Sequence, residues 1–112
     1  MLPSDLRLGD AQRIVSAARS LGRIPLHFAR REGCFLPHLV PAARAASPES
    51  TMGAVFLLIR REMKLAPHRA LFVFLPFHRL VPVGATVAQV YAEYADGDGL
   101  LRLIYSSEDA FG

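Results

Sequence analysis

Apolar residues recur at spacings of three and four along one stretch of the chain. Met52, Val55, Phe56, Ile59 and Met63 share one face of a helix, and Leu57 and Leu58 widen that stripe. Ser50 or Thr51 can accept a hydrogen bond from a free amide of the first turn, and Pro67 disfavours helix in the residue before it. The helix is therefore expected from about Thr51 to Lys64 or Leu65. Beyond Pro67 the pattern changes. Ala70-Leu71-Phe72-Val73-Phe74-Leu75 is short, aromatic and β-branched, with apolar residues on both faces, which predicts a strand in the middle of a covered sheet.

The flanking segments carry their own periods. Asp10 is placed to cap a helix whose apolar face is Ala11, Ile14, Val15, Ala18 and Leu21, and Gly22 is placed to end it. Ile24 to Arg30 alternates, with Ile24, Leu26 and Phe28 on one side, so it reads as a half-buried strand. Arg30 to Gly33 is a turn. Prolines interrupt the segment from Phe35 to Pro48, where a loop and one weak strand near Ala43 to Ser47 are expected. Pro76 to Arg79 turns the chain, and Leu80 to Pro82 is a short extended piece. Thr86 caps a second short helix carrying Val87, Val90, Tyr91 and Tyr94. Asp96-Gly97-Asp98-Gly99 is a turn, and Leu100 to Tyr105 is the last strand before a polar tail.

Composition narrows the class without choosing a function. The 112 residues form one core, with 13 basic and 10 acidic side chains giving a mild positive charge. The single cysteine, Cys34, and the absence of an initial basic-then-apolar run predict a reducing, cytoplasmic setting. The longest fully apolar run, Ala54 to Ile59, is too short to span a bilayer, so any membrane association needs a surface patch or covalent lipid. An enzyme reading lacks a constellation. Cys34 has no nucleophile motif around it, and His27, His38, His68 and His78 are scattered without zinc-ligand spacing, so neither metal nor cofactor is expected. The arginines lack the aromatic ladder of a nucleic-acid surface, and no nucleic-acid partner is expected.

A strand pair, a crossing helix and a closing strand pair resemble the β-grasp arrangement of ubiquitin. The expected class is α+β, a four-stranded mixed sheet crossed by one long helix, with an N-terminal helix. The residues then resemble a family, the autophagy ubiquitin-like modifiers of the GABARAP and light-chain-three type, also called autophagy-related protein eight. The likeness runs from about Gln12 onward. It is carried by Arg23-Ile24-Pro25, Phe56 to Arg61, Ala70 to Phe74, Ala85-Thr86 with Gln89-Val90-Tyr91 and Glu93, and Tyr105-Ser106 with Glu108 before Phe111-Gly112.

The resemblance implies a modifier joined through Gly112 to phosphatidylethanolamine, handled by ubiquitin-like activating and conjugating enzymes and by a deconjugating cysteine protease. Glycine suits this chemistry, because a tail without a side-chain carbon threads a narrow channel and leaves its carbonyl open to an amine. The protein would be cytoplasmic, and on autophagosomal membranes when conjugated. Phe111, Phe72 and Phe74 are the implied recognition residues for protease and conjugation. The resemblance further implies binding of aromatic-x-x-aliphatic segments of cargo receptors, added as a strand beside the second strand. Gln12, Pro25, His27, Ala45 and Leu100 would line an aromatic pocket, Ala46, Val55 and Leu58 an aliphatic one, and Arg60 would sit beside the bound strand. Ala42, Ala43, Arg44 and Ala45 stand where the family has lysines and large apolar residues, and by the same resemblance Ser50 would form one wall of the aliphatic pocket.

Three parts are expected: a helical extension at 1–22, the ubiquitin-like domain at 23–106 and a conjugation tail at 107–112. The short segment before the first helix and the Asp96 to Leu100 turn are also similar to a sister family, autophagy-related protein twelve, which is conjugated to a protein lysine. Apart from any resemblance, the residues describe a basic β-grasp binding module.

Overall fold

The computed structural model describes residues 8–107. The chain runs α1 (Leu8–Ser20), β1 (Ile24–Arg30), β2 (Ala43–Ala46), α2 (Met52–Met63), β3 (Phe72–Leu75), a 3-10 turn (Pro76–His78), β4 (Arg79–Leu80), α3 (Val87–Tyr94) and β5 (Leu101–Ser106). One mixed sheet results, in the order β2-β1-β5-β3-β4. Among the described residues only β1 and β5 pair in parallel, with Leu26 beside Leu101 and Phe28 beside Leu103. This is the ubiquitin-like β-grasp.

Two expectations about the sheet are corrected. It has five strands rather than four, because Arg79 and Leu80 pair back onto Leu75 and Phe74. The hairpin turns through Phe77 and His78, both at positive φ. Neither is the glycine or asparagine that would signal such a turn, so the sequence reads only as an irregular bend. The central strand is β5, flanked by β1 and β3, and β3 is one place from the edge. A strongly apolar run reports burial, whereas position in the order is set by pairing between distant segments.

The helices lie on opposite faces. Met52, Val55 and Ile59 of α2 pack with Leu26, Phe28, Leu101, Leu103 and Tyr105, and Val87 and Val90 of α3 join the same core. Leu57 and Leu58 do not widen this face. They are 61% and 58% exposed, because three buried positions per two turns already span the sheet contact. The α2 cap is as expected, with the Ala54 N–H donating to Thr51 Oγ1 at 3.1 Å. Thr86 and Gln89 form a reciprocal capping box at the start of α3.

Across the sheet, α1 buries Ala11 and Val15 against Leu100, with Ile14 at the margin. The helix starts before Asp10, which lies in its first turn and pairs with Arg13 one turn on instead of capping. It ends as expected at Gly22 (φ +66), with the Arg23 N–H reaching back to the Ala18 carbonyl at 2.9 Å. Leu21 lies past the last helical turn and is 70% exposed, so it is outside the buried stripe.

Candidate functional site

Strand β2 is one edge of the sheet, and its register determines which of its amides are free. Ala46, Ala45, Arg44 and Ala43 oppose Ile24, Pro25, Leu26 and His27, and the Phe28 N–H donates to the Ala42 carbonyl at 2.9 Å. In an antiparallel pair, bonded and non-bonded positions alternate. Residues 42, 44 and 46 therefore point their amides inward, and Ala43 and Ala45 present theirs to the open edge. Such an edge is a template for an added strand.

Beside it lies a groove of about 210 Å³, floored by Ala43 and Ala45 and walled by Ile14, Ala17, Ala18 and Leu21. The groove exists because both sides carry alanine. A helix with small residues facing a strand with small residues leaves space that larger side chains would fill.

Of the residues expected in an aromatic pocket, Ala45 lines the groove, and Pro25 and His27 lie buried directly across from Ala45 and Ala43 on the same sheet face. Leu100 is fully buried under α1, and Gln12 is on the exposed surface of α1. Ile14, Ala17, Ala18 and Leu21 complete the site. Their apolar spacing reads equally well as core packing, and the signal for a groove was the excess of alanine on both walls.

The aliphatic trio is not gathered in the same way. Val55 belongs to the main core, Ala46 packs at its margin, and Leu58 stands exposed on α2. Arg60 is occupied elsewhere, donating to the carbonyls of Arg69 and Ala66 at 2.8 and 3.1 Å and so holding the link from α2 to β3.

The sheet face under α1 has a charged border. His27 and Arg102 are neighbours in the β1–β5 register, and Arg102 pairs with Asp96 and Asp98. Burial, with the Arg102 cation as the smaller cause, lowers the His27 pKa from its ordinary value.

The second feature is the C-terminal end of β5. Phe72 opposes Ser106 at the end of β5, and its ring stacks on that of Phe74 at 6.4 Å. Phe74 is buried and Phe72 half-buried, so Phe72 is the one within reach of a partner. Ser107 is buried, and its Oγ accepts the Phe35 N–H at 3.4 Å. Phe111 and Gly112 lie outside the described residues. Among the described residues no helix is long and apolar enough to cross a membrane.

Comparison with known proteins agrees with this fold. The family model described as "Autophagy protein Atg8 ubiquitin like" matches residues 6–112. Autophagy-related protein 8 of Saccharomyces cerevisiae is 31% identical over 98% of this chain and 92% of the yeast protein. Autophagy-related protein 8d of Arabidopsis thaliana is also 31% identical, over 98% of this chain and 89% of the plant protein. The crystal structure of Trypanosoma brucei ATG8 matches with a TM-score of 0.83 over 95% of this chain and 92% of that one, at 23% identity, a likeness of fold.

Proposed function

The chain belongs to the Atg8 family of ubiquitin-like autophagy proteins, and on that premise we propose that it is a modifier, not an enzyme, conjugated through Gly112 to phosphatidylethanolamine. The observation that carries this reading is that the family match runs through the final Phe111-Gly112 pair. In this reading 1–22 is a helical extension, 23–106 the ubiquitin-like domain and 107–112 the conjugation tail.

The chemistry proceeds in four steps. The Gly112 carboxylate attacks the α-phosphorus of ATP and releases pyrophosphate. The thiolate of the activating enzyme displaces AMP to give a thioester, which passes to the thiolate of a conjugating enzyme. The amine of phosphatidylethanolamine then attacks the thioester carbonyl, expelling the thiolate and losing a proton, and an amide remains. A cysteine protease reverses the last bond by hydrolysis. Phe72 and Phe111 would be read by these enzymes, and Phe74 would support Phe72 by stacking. The protein is cytoplasmic when free and held on autophagosomal membranes when lipidated.

Partner recruitment uses the open edge of β2. An extended segment pairs with the amides of Ala43 and Ala45 and lowers its aromatic side chain into the groove over Ala45, Pro25 and His27. Gln12 lies on α1 at the groove side of the sheet, and Ala46, Val55 and Leu58 mark where the aliphatic side chain would rest.

The test is intact-protein mass spectrometry after incubation with activating and conjugating enzymes, ATP and liposomes containing phosphatidylethanolamine. A phospholipid-sized mass increase is expected, absent in Gly112→Ala. A thioester that moves only to an added protein acceptor would replace the lipid by a lysine, as in the sister family. No thioester at all would leave a binding module.

A further inference from the structure

The last described residues of the chain are held in place. Ser106 and Ser107 are both buried, and Ser106 Oγ donates to the Ser107 carbonyl at 3.1 Å. Ser107 Oγ in turn holds the Phe35 N–H. Phe35 sits between two buried residues, Cys34 and Leu36, yet is itself 74% exposed. The Arg30 guanidinium donates to the carbonyls of both these neighbours. Two residues further on, the Tyr105 hydroxyl donates to the Pro37 carbonyl at 2.9 Å and accepts the Leu39 N–H at 3.0 Å. The backbone around Phe35 is therefore held from three directions, and its ring is presented to solvent. An aromatic ring on an ordered backbone loses little entropy on docking, and such rings dominate interfaces.

Gly112 lies five residues beyond Ser107. Five residues reach at most about 17 Å when fully extended. An enzyme that encloses the Gly112 carboxylate must therefore rest on the fold close to Ser107, where Phe35 is hydrogen-bonded. We propose that Phe35 is a docking anchor for the activating enzyme, seated in an apolar pocket of that enzyme beside the channel that takes the tail. This rests on the reading of Gly112 as the conjugated residue. The activating step makes the greatest demand on such an anchor, because there the modifier arrives untethered and a five-residue tail offers little area. At the later transfer the thioester already holds the modifier in place.

The experiment uses the full chain with an activating enzyme and ATP, following pyrophosphate exchange and thioester formation for wild type, Phe35→Ser, Phe35→Tyr and Phe77→Ser. Phe77 is the control, a phenylalanine 98% exposed on the β3–β4 turn. Phe35→Ser is expected to raise KM about tenfold or more with kcat within about twofold, as for loss of an aromatic hot spot. Phe35→Tyr should stay near wild type, as should Phe77→Ser, and the melting curves of all four should coincide. An unchanged KM for Phe35→Ser overturns the proposal. So does an equal effect from Phe77→Ser, or an effect confined to transfer onto the conjugating enzyme. If the wild-type chain forms no thioester, the conjugation reading itself fails.

Discussion

Arg44 on β2 donates from a single guanidinium nitrogen, Nη1, to both carboxylate oxygens of Glu62 on α2, at 2.9 and 2.8 Å. Its Nε donates to the Pro41 carbonyl at 2.8 Å, and Nη2 is buried with no hydrogen-bond partner among the described residues. This ion pair ties the four-residue edge strand to the core helix. Removing Glu62 would leave a partly buried cation without its counterion. Glu62→Ala is expected to lower stability by about 1 kcal/mol, near the upper end for a half-exposed pair, read from the denaturant midpoint. The loss should shrink in high salt, and strand addition at β2 should weaken with it.

His27 makes stability depend on pH. Its imidazole is held neutral by burial and by Arg102, with a pKa below the ordinary 6.5. The unfolded chain binds that proton more readily than the folded one. The contribution is therefore full above about pH 6.5 and declines as pH falls below it. Chemical denaturation at steps from about pH 7.5 down to about pH 5.5 should show the decline, and His27→Leu should flatten it. An unchanged slope in the variant would assign the pH dependence to other groups.

The Tyr105 hydroxyl is a second internal tie. It makes two hydrogen bonds to the loop at residues 37 and 39, in a region where Cys34, Leu36 and Leu39 are buried. Tyr105→Phe leaves a buried N–H and a carbonyl without this partner, at a cost of about 2 kcal/mol. Amide exchange should quicken at Leu39 and at Phe35, while the β1–β5 amides stay protected.

The groove over β2 is testable by charge. Ala45 is exposed, so Ala45→Glu should leave the melting temperature unchanged. A carboxylate over an apolar groove should weaken an aromatic-x-x-aliphatic peptide about tenfold or more, measured by calorimetric titration. Thioester formation at Gly112 should be untouched, because β2 is two strands away from the end of β5.

Part of this site was legible in the sequence and part was not. Pro25, His27 and Ala45 do share one face, because alternation along a strand follows from the backbone whatever the neighbours are. The resemblance also implies Leu100 in that pocket, but whether it lies open or sealed depends on where α1 crosses the sheet. Arg60 had the same ambiguity. A long cation at the end of a helix can reach outward or fold back onto a carbonyl, and here the carbonyls of Ala66 and Arg69 are nearer. Ile14, Ala18 and Leu21 looked like ordinary core because their spacing does not say which side of the helix end is left uncovered. Phe35 carried no sequence signal beyond being an aromatic in a proline-broken loop.

The sequence by itself determined the helices, most of the strands and several of their ends. The stripe on α2, its Thr51 cap, the Thr86 capping box and the stop at Gly22 depend on residues close together in the chain, which a linear reading contains. It also held the likeness that placed the chain in its family. Only the tertiary structure decided that β5 is central, that Phe77 and His78 close a fifth strand, and that the β2 edge borders a groove. It alone set Phe35 beside Ser107. Several of these relations join residues far apart in the chain: Ser107 and Phe35 are 72 positions apart, and Arg44 and Glu62 are 18 apart. They arise from the parallel β1–β5 pairing, whose register is fixed only when the whole core has packed.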